Sequence, residues 1–113
     1  MTAIEKSASA TMPPEEMASR AEEVASLLKT MAHPVRLMLA CTLAEGEHSV
    51  GELEEELGVR QPTLSQQLGV LREAGVVQTR REAKQIFYRL SEEKAAQLVT
   101  ALYAIFCSPE GRR

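Results

Sequence analysis

The sequence predicts a mainly α-helical domain of five helices with one small β-hairpin, and three patterns indicate this fold class. Leu64, Leu68 and Leu71 repeat at i, i+4 and i+7, which places one apolar stripe on a helix. Gly58 separates this helix from a shorter amphipathic one, and residues 85–90 show the period of two that is typical of a strand. Two short helices followed by a hairpin indicate a winged helix-turn-helix. The 113 residues suffice for one domain with a modest core.

The N-terminal half supplies two of the helices. Apolar residues follow helical spacing over residues 14–31. Pro34 opens a second helix that is apolar nearly all round, so we expect it to be the central buried helix, and Gly46 ends it. We divide the chain into a flexible N-terminal tail (residues 1–13), a winged helix-turn-helix domain (residues 14–108) and a C-terminal tail (residues 109–113).

Local signals mark the two helices of the helix-turn-helix. Ser49 and Glu52 are spaced as a capping box, in which each side chain accepts a backbone N–H group at the start of a helix. Gly58 ends that helix. The next helix has Pro62 in its first turn, where a missing N–H costs nothing, and Gly75 after its last turn. We expect it to be the recognition helix.

The hairpin and the last helix follow the recognition helix. We predict strands over residues 76–80 and 85–90, joined by a charged turn at residues 81–84 that forms the tip of a wing. Ser91 is expected to cap the final helix, which carries a wide apolar face and ends before Pro109. The first and last helices are more apolar than a small monomer needs, so we predict a homodimer through them. The alternative is that both simply pack on the core.

Charge and side-chain chemistry indicate DNA binding. The net charge is −3, but residues 1–59 carry −7 and residues 60–90 carry +4, so positive charge is concentrated at the recognition helix and wing. The alternative is a solvated charged face. Residues expected to contact bases and backbone are Gln61, Thr63, Ser65, Gln66 and Gln67, and those expected to hold phosphates or enter the minor groove are Arg60, Arg80, Arg81 and Lys84.

Cys41 and Cys107 are far apart in the sequence and form no CxxC motif. In a protein with neither a signal peptide nor a transmembrane segment, which we expect to be cytoplasmic, such cysteines are buried thiols, metal ligands or redox sensors. From the residues alone, an inert role for both is as probable as a chemical one. His33 is expected to cap a helix or pack, and His48 to lie in a loop. Neither cysteine has a neighbouring activating base in the sequence, so we do not expect an enzyme.

Four segments together resemble the ArsR/SmtB family of bacterial winged-helix repressors. They are residues 31–37 (MAHPVRL), 61–68 (QPTLSQQL), 71–77 (LREAGVV) and 87–90 (FYRL). The resemblance extends from about Glu15 to Cys107. It implies a double-stranded operator as the partner of a homodimer.

The resemblance also bears on the effector. Some members of the family bind metals through cysteines where this chain has Glu54 and Glu56, and others through Asp and His on the last helix, which has neither here, so we expect no metal site and no cofactor. Cys41 and Cys107 instead resemble the pair of the persulfide-sensing branch. There, low-molecular-weight persulfides or polysulfides join the two cysteines by a disulfide or polysulfide, and the operator is released. The alternatives are a metal-sensing repressor, a thiol sulfur carrier and a dimeric interaction module.

Overall fold

A computed structural model of the chain describes residues 11–109. This part contains five helices and one three-stranded antiparallel sheet. In chain order the elements are α1 (Pro14–Met31), α2 (Pro34–Ala44), β1 (His48–Ser49), α3 (Val50–Leu57), α4 (Gln61–Glu73), β2 (Val77–Glu82), β3 (Gln85–Leu90) and α5 (Glu93–Phe106). The predicted winged helix-turn-helix is therefore confirmed. Most of each predicted tail lies outside the described residues.

The core surrounds α2, as predicted from its apolar composition. Leu39 of α2 is fully buried together with Leu64, Leu68 and Leu71 of α4 and Val99 of α5. The helix α2 packs against α4, α5 and β3, so it contacts both the recognition helix and the C-terminal helix. A movement of α2 therefore affects both.

The predicted helix starts in the first half are confirmed. His33 caps α2, because its Nδ1 accepts the Val35 N–H at 3.1 Å. The capping box of α3 is complete: Ser49 Oγ accepts the Glu52 N–H at 3.2 Å, and the Glu52 carboxylate accepts the Ser49 N–H at 2.8 Å. Gly58 then closes α3 at φ 67°, a backbone conformation that costs glycine little.

The placement of His48 in a loop is wrong. Residues His48 and Ser49 form the short strand β1, which pairs antiparallel with Tyr88 and Phe87 of β3. His48 Nε2 also lies 2.8 Å from the Glu56 carboxylate of α3. A two-residue strand has no detectable period, so the sequence carried no signal for this third strand.

The wing is longer than predicted. Its first strand, β2, extends to Glu82 rather than ending at Arg80, and Glu82 pairs with Gln85. The turn at the tip is therefore only Ala83 and Lys84 instead of residues 81–84. Ala83 adopts φ 57°, the left-handed region in which a two-residue hairpin turn usually places Gly, Asn or Asp. The absence of those residues concealed the tight turn.

Ser91 is not the cap of α5. Glu92 is the N-cap residue, and its carboxylate accepts the Lys94 N–H at 2.8 Å. The Ser91 hydroxyl instead donates to the Gly75 carbonyl at 2.9 Å, which joins the end of β3 to the turn after α4. Gly75 has φ 78° and ends α4 as predicted. Within the described residues, no helix is long and apolar enough to cross a membrane.

Candidate DNA-binding surface and thiol pair

The helix α4 presents a polar front over an apolar back. Its buried leucines face the core, and Arg60 precedes it as the exposed N-cap residue. Four of the five predicted reading residues are exposed on α4: Gln61, Thr63, Ser65 and Gln66. This surface offers hydroxyl and amide groups, which can both donate to and accept from base edges.

Gln67 differs from the other four, because it is half-buried and contacts the protein. Its Oε1 accepts a hydrogen bond from Arg36 Nη1 at 2.8 Å. Arg36 Nε also donates to the Thr30 carbonyl at 2.5 Å, so one guanidinium contacts α1 and α4 from its place on α2. Sequence reasoning assigned no role to Arg36, because its partner lies 31 residues away and no local pattern indicates the contact.

The guanidinium of Arg80 is held between two carboxylates on the wing. Its Nε donates to Glu47 Oε2 at 2.8 Å, its Nη2 lies 2.8 Å from Glu47 Oε1, and its Nη1 donates to Glu82 at 2.6 Å. The guanidinium carbon also lies 4.8 Å from the centroid of the Phe87 ring. The hydrogen bonds to Glu47 and Glu82 raise the pKa of Arg80, and Arg80 lowers the pKa of Glu47. Glu47 is a second residue that sequence analysis missed.

The remaining predicted phosphate ligands lie open on the surface. Arg81 is exposed on β2, and Lys84 is exposed at the turn; within residues 11–109 no carboxylate forms a salt bridge with either. Arg89 donates to the Gln78 amide on the neighbouring strand at 2.5 Å. Of the four cations on the wing, Arg81 and Lys84 lie near the tip without a carboxylate partner among the residues described, Arg80 is neutralised by carboxylates, and Arg89 donates to an amide.

The two cysteines are free thiols near the junction of α2 and α5. Cys41 lies on α2 and is half-buried, whereas Cys107 is exposed as the C-cap residue of α5. A cavity of about 160 Å³ lies between the two helices; it is lined by Cys41, Ala44, Glu45, Val99, Thr100 and Tyr103. Tyr103 precedes Cys107 by one helical turn, and its carbonyl accepts the Cys107 N–H at 2.8 Å.

The surroundings of Cys41 disfavour its thiolate. Burial raises the pKa of the Cys41 thiol, and electrostatic interactions with Cys107 and Glu45 raise it further. The two cysteines, 66 positions apart in the sequence, thus belong to two helices that pack against each other. Among residues 11–109, no three His, Cys, Asp or Glu side chains are grouped so that they could hold a metal ion.

Large apolar side chains are exposed on the first and last helices. Within the described part of the chain, six of the nine exposed large apolar residues belong to α1 or α5: Met17, Val24, Leu28, Tyr103, Ile105 and Phe106. Their exposed fractions range from 48% to 65%. These two faces are where the sequence predicted a dimer interface.

Known proteins similar to this chain are transcriptional regulators. The family model described as bacterial regulatory protein, arsR family, matches residues 33–79. The biofilm growth-associated repressor of Agrobacterium fabrum is 76% identical over 99 residues, which cover 88% of this chain and 85% of that protein. The transcriptional repressor BigR from Xylella fastidiosa has a similar crystal structure, with a TM-score of 0.79 and 72% identity over 86% of this chain and 99% of that one.

A more distant relative has the same fold. Reduced HlyU from Vibrio cholerae gives a TM-score of 0.78 at 39% identity, and the match covers 83% of this chain and 99% of that one. The family resemblance drawn from the four sequence segments is thereby confirmed. The chain belongs to the arsR family of bacterial regulatory proteins and is a transcriptional regulator, not an enzyme.

Proposed function

We propose that this transcriptional repressor responds to low-molecular-weight persulfides or polysulfides, which bridge Cys41 and Cys107 and release operator DNA. The observation that carries the proposal is the placement of the two thiols. One lies on α2 and the other at the end of α5, and these two helices pack together.

The chemistry needs only the two thiols and the effector. The thiolate of one cysteine attacks the outer sulfur of a persulfide RSSH, an S–S bond forms, and RS⁻ leaves and takes up a proton. The thiolate of the other cysteine attacks the protein sulfur of the new persulfide, and HS⁻ leaves. Two protein thiols and one RSSH thus give one disulfide, RSH and H₂S. Further sulfur transfer before closure gives a polysulfide, which tolerates a wider gap than the roughly 7 Å Cα separation that limits a disulfide.

Release of DNA follows from the position of the bridge. Joining Cys41 to Cys107 fixes the end of α5 against α2, and α2 packs on the recognition helix α4. If the homodimer forms through α1 and α5, the bridge also changes the distance between the two recognition helices or their mobility. These must match half-sites about 34 Å apart on DNA. A coupling free energy of about 1–3 kcal/mol is enough for derepression by roughly 5–150-fold.

The proposed DNA contacts divide into two classes. Gln61, Thr63, Ser65 and Gln66 are exposed and are assigned to bases and backbone, and Arg60, Arg81 and Lys84 to phosphates or the minor groove. Arg80 reaches a phosphate only after it leaves a carboxylate, and the Gln67 amide oxygen is already occupied by Arg36. Replacing Arg81 should weaken binding to all sequences alike, whereas replacing Gln66 should change the sequence preference.

The test of the thiol switch uses the purified protein and glutathione persulfide. Treatment should remove two hydrogens from the monomer mass and add the mass of any sulfur retained in a polysulfide bridge, without a covalent dimer on a non-reducing gel. Operator affinity should fall and should recover on reduction. The variants Cys41→Ser and Cys107→Ser should each bind DNA and stay insensitive. Normal release by either single variant would exclude the two-cysteine bridge.

Two alternative functions predict different results with the same purified protein. A metal-sensing repressor should bind zinc tightly in a fixed ratio when reduced and should lose operator affinity on binding it. A sulfur carrier should turn over an excess of persulfide and pass sulfur to an acceptor thiol.

The oligomeric state, measured by ultracentrifugation, tests the proposed dimer, which should weaken when Ile105 and Phe106 at the exposed end of α5 are replaced by Ser.

A further inference from the structure

Arg36 connects three helices through one side chain. It stands in the first turn of α2 and is half-buried. Its Nε donates to the Thr30 carbonyl in the last turn of α1, and its Nη1 donates to Gln67 Oε1 on α4. The last carbonyls of a helix have no partner within the helix, so a cation placed there both satisfies one and interacts favourably with the helix dipole.

The contact fixes the orientation of Gln67. A guanidinium has only donors, so the oxygen of the amide must face Arg36 and its NH₂ group must point away. A charge-assisted hydrogen bond of this kind is about twice as strong as a neutral one and depends strongly on geometry. Because Gln67 is one position from the exposed Gln66, the contact places the reading face of α4 relative to α2.

The same helix α2 carries the proposed thiol switch. Cys41 follows Arg36 by five residues, which places the two about 7.5 Å apart along the helix axis. A hydrogen bond of 2.8 Å breaks when its atoms move apart by about 1 Å. A small displacement of α2 towards the end of α5 is therefore sufficient to separate Arg36 from Gln67.

We propose that Arg36 is a positioning residue, which seats the recognition helix on α2 in the reduced protein and releases it when Cys41 and Cys107 are bridged. This inference rests on the proposed thiol switch. It assigns the loss of DNA affinity to a particular contact, the one between Arg36 and Gln67. If Arg36 had a purely structural role, its replacement would lower the operator affinity of the reduced and bridged forms equally.

The experiment compares operator affinity before and after bridging in Arg36→Lys, Gln67→Met and the double variant. Arg36→Lys keeps the charge but cannot donate to both Thr30 and Gln67 in one fork, and Gln67→Met removes the acceptor without changing charge. Each single variant should bind the operator more weakly than the unaltered protein in the reduced form, and equally well in the bridged form. The ratio of reduced to bridged operator affinity should therefore fall at least threefold. The double variant should match the single ones, because all three break one contact.

Gln66→Met is the matched control, since it alters the neighbouring glutamine on the exposed face. It should lower affinity in both forms alike and leave the ratio unchanged. Mass spectrometry should show that every variant forms the bridge, and thermal melting should show that each is folded. A ratio in Gln67→Met equal to that of the unaltered protein would overturn the inference, as would additive losses in the double variant. A failure of the unaltered protein to bridge or to release DNA would instead overturn the proposed thiol switch.

Discussion

Removing the Glu47 carboxylate should increase the affinity of the repressor for DNA. In the structure Glu47 accepts from Nε of Arg80 and also lies 2.8 Å from its Nη2, while Glu82 accepts from Nη1. Every nitrogen of this guanidinium therefore faces a carboxylate, and the group of three carries a net charge of −1. The change Glu47→Gln removes the charge that holds two of the three nitrogens, so Arg80 becomes available to a phosphate.

The expected magnitude follows from counterion release. Each phosphate that a cation neutralises on duplex DNA adds about 0.9 to the slope of log affinity against log salt concentration. A dimer has two wings, so Glu47→Gln should steepen the slope by up to about 1.8. Between 50 and 200 mM salt, this difference corresponds to a loss of affinity about 12-fold greater than that of the unaltered protein.

The assay is a salt titration of operator binding, followed by fluorescence anisotropy. Glu22→Gln is the matched control, because Glu22 is exposed on α1 and the change alters net charge by the same amount away from the wing. The slope of Glu22→Gln should equal that of the unaltered protein. In the Arg80→Gln background, Glu47→Gln should no longer steepen the slope.

Equal slopes for Glu47→Gln and Glu22→Gln would refute this reasoning. Arg80 would then be a structural link between β2 and the segment before β1, and not a cation that exchanges carboxylate for phosphate. The tip residues Arg81 and Lys84 would in that case supply all of the wing's phosphate contacts.

Three further changes have expected outcomes. Ala83→Gly should raise the free energy of unfolding by up to about 1 kcal/mol in a urea titration, because glycine adopts the left-handed backbone of the wing turn without strain. Leu68→Ala should lower it by about 2–5 kcal/mol, since Leu68 is fully buried in the core. Glu45→Gln should lower the raised pKa of Cys41, so iodoacetamide should alkylate Cys41 faster at a fixed pH near 8. An alkylation rate equal to that of the unaltered protein would show that Glu45 does not raise this pKa.

The sign of the pH effect at Cys41 follows from the same raised pKa. An unfolded chain ionises this thiol at a lower pH than the folded protein does. The contribution of Cys41 to stability is therefore complete below the pKa of the unfolded thiol and is lost as pH rises through the folded pKa. In Cys41→Ala, the loss of stability at alkaline pH should be smaller.

Helix boundaries that depend on local chemistry could be predicted from the sequence. The capping box of Ser49 and Glu52, the glycine after α3 and the leucine stripe of α4 each act within a few residues, so each left a pattern that can be read directly. The fold class followed from their order. The cap of α5 was misplaced by one residue, because Ser91 and Glu92 are both capable caps and the Ser91 hydroxyl is used by Gly75.

Features that depend on contacts distant in the sequence could not be predicted. β1 exists because His48 and Ser49 meet β3 in space, and Glu47 meets Arg80 across 33 residues. Charge counting placed Arg80 in a basic segment and could not show that two carboxylates neutralise it. In the same way, residue type alone assigned Gln67 to base reading, whereas the fold directs its amide oxygen to Arg36.

The position of α2 would allow one small chain to combine DNA binding with the proposed thiol switch. This helix of eleven residues carries Arg36 near its start and Cys41 beyond its middle, and it packs on both α4 and α5. Because protein interiors are close-packed, a covalent bond formed at Cys41, as proposed, would shift the helix as a whole. In the proposed switch, the displacement acts on the contact that is most sensitive to distance and direction, the hydrogen bond from Arg36 to Gln67. The proposed thiol switch on α2 therefore needs no separate signalling domain to act on the recognition helix.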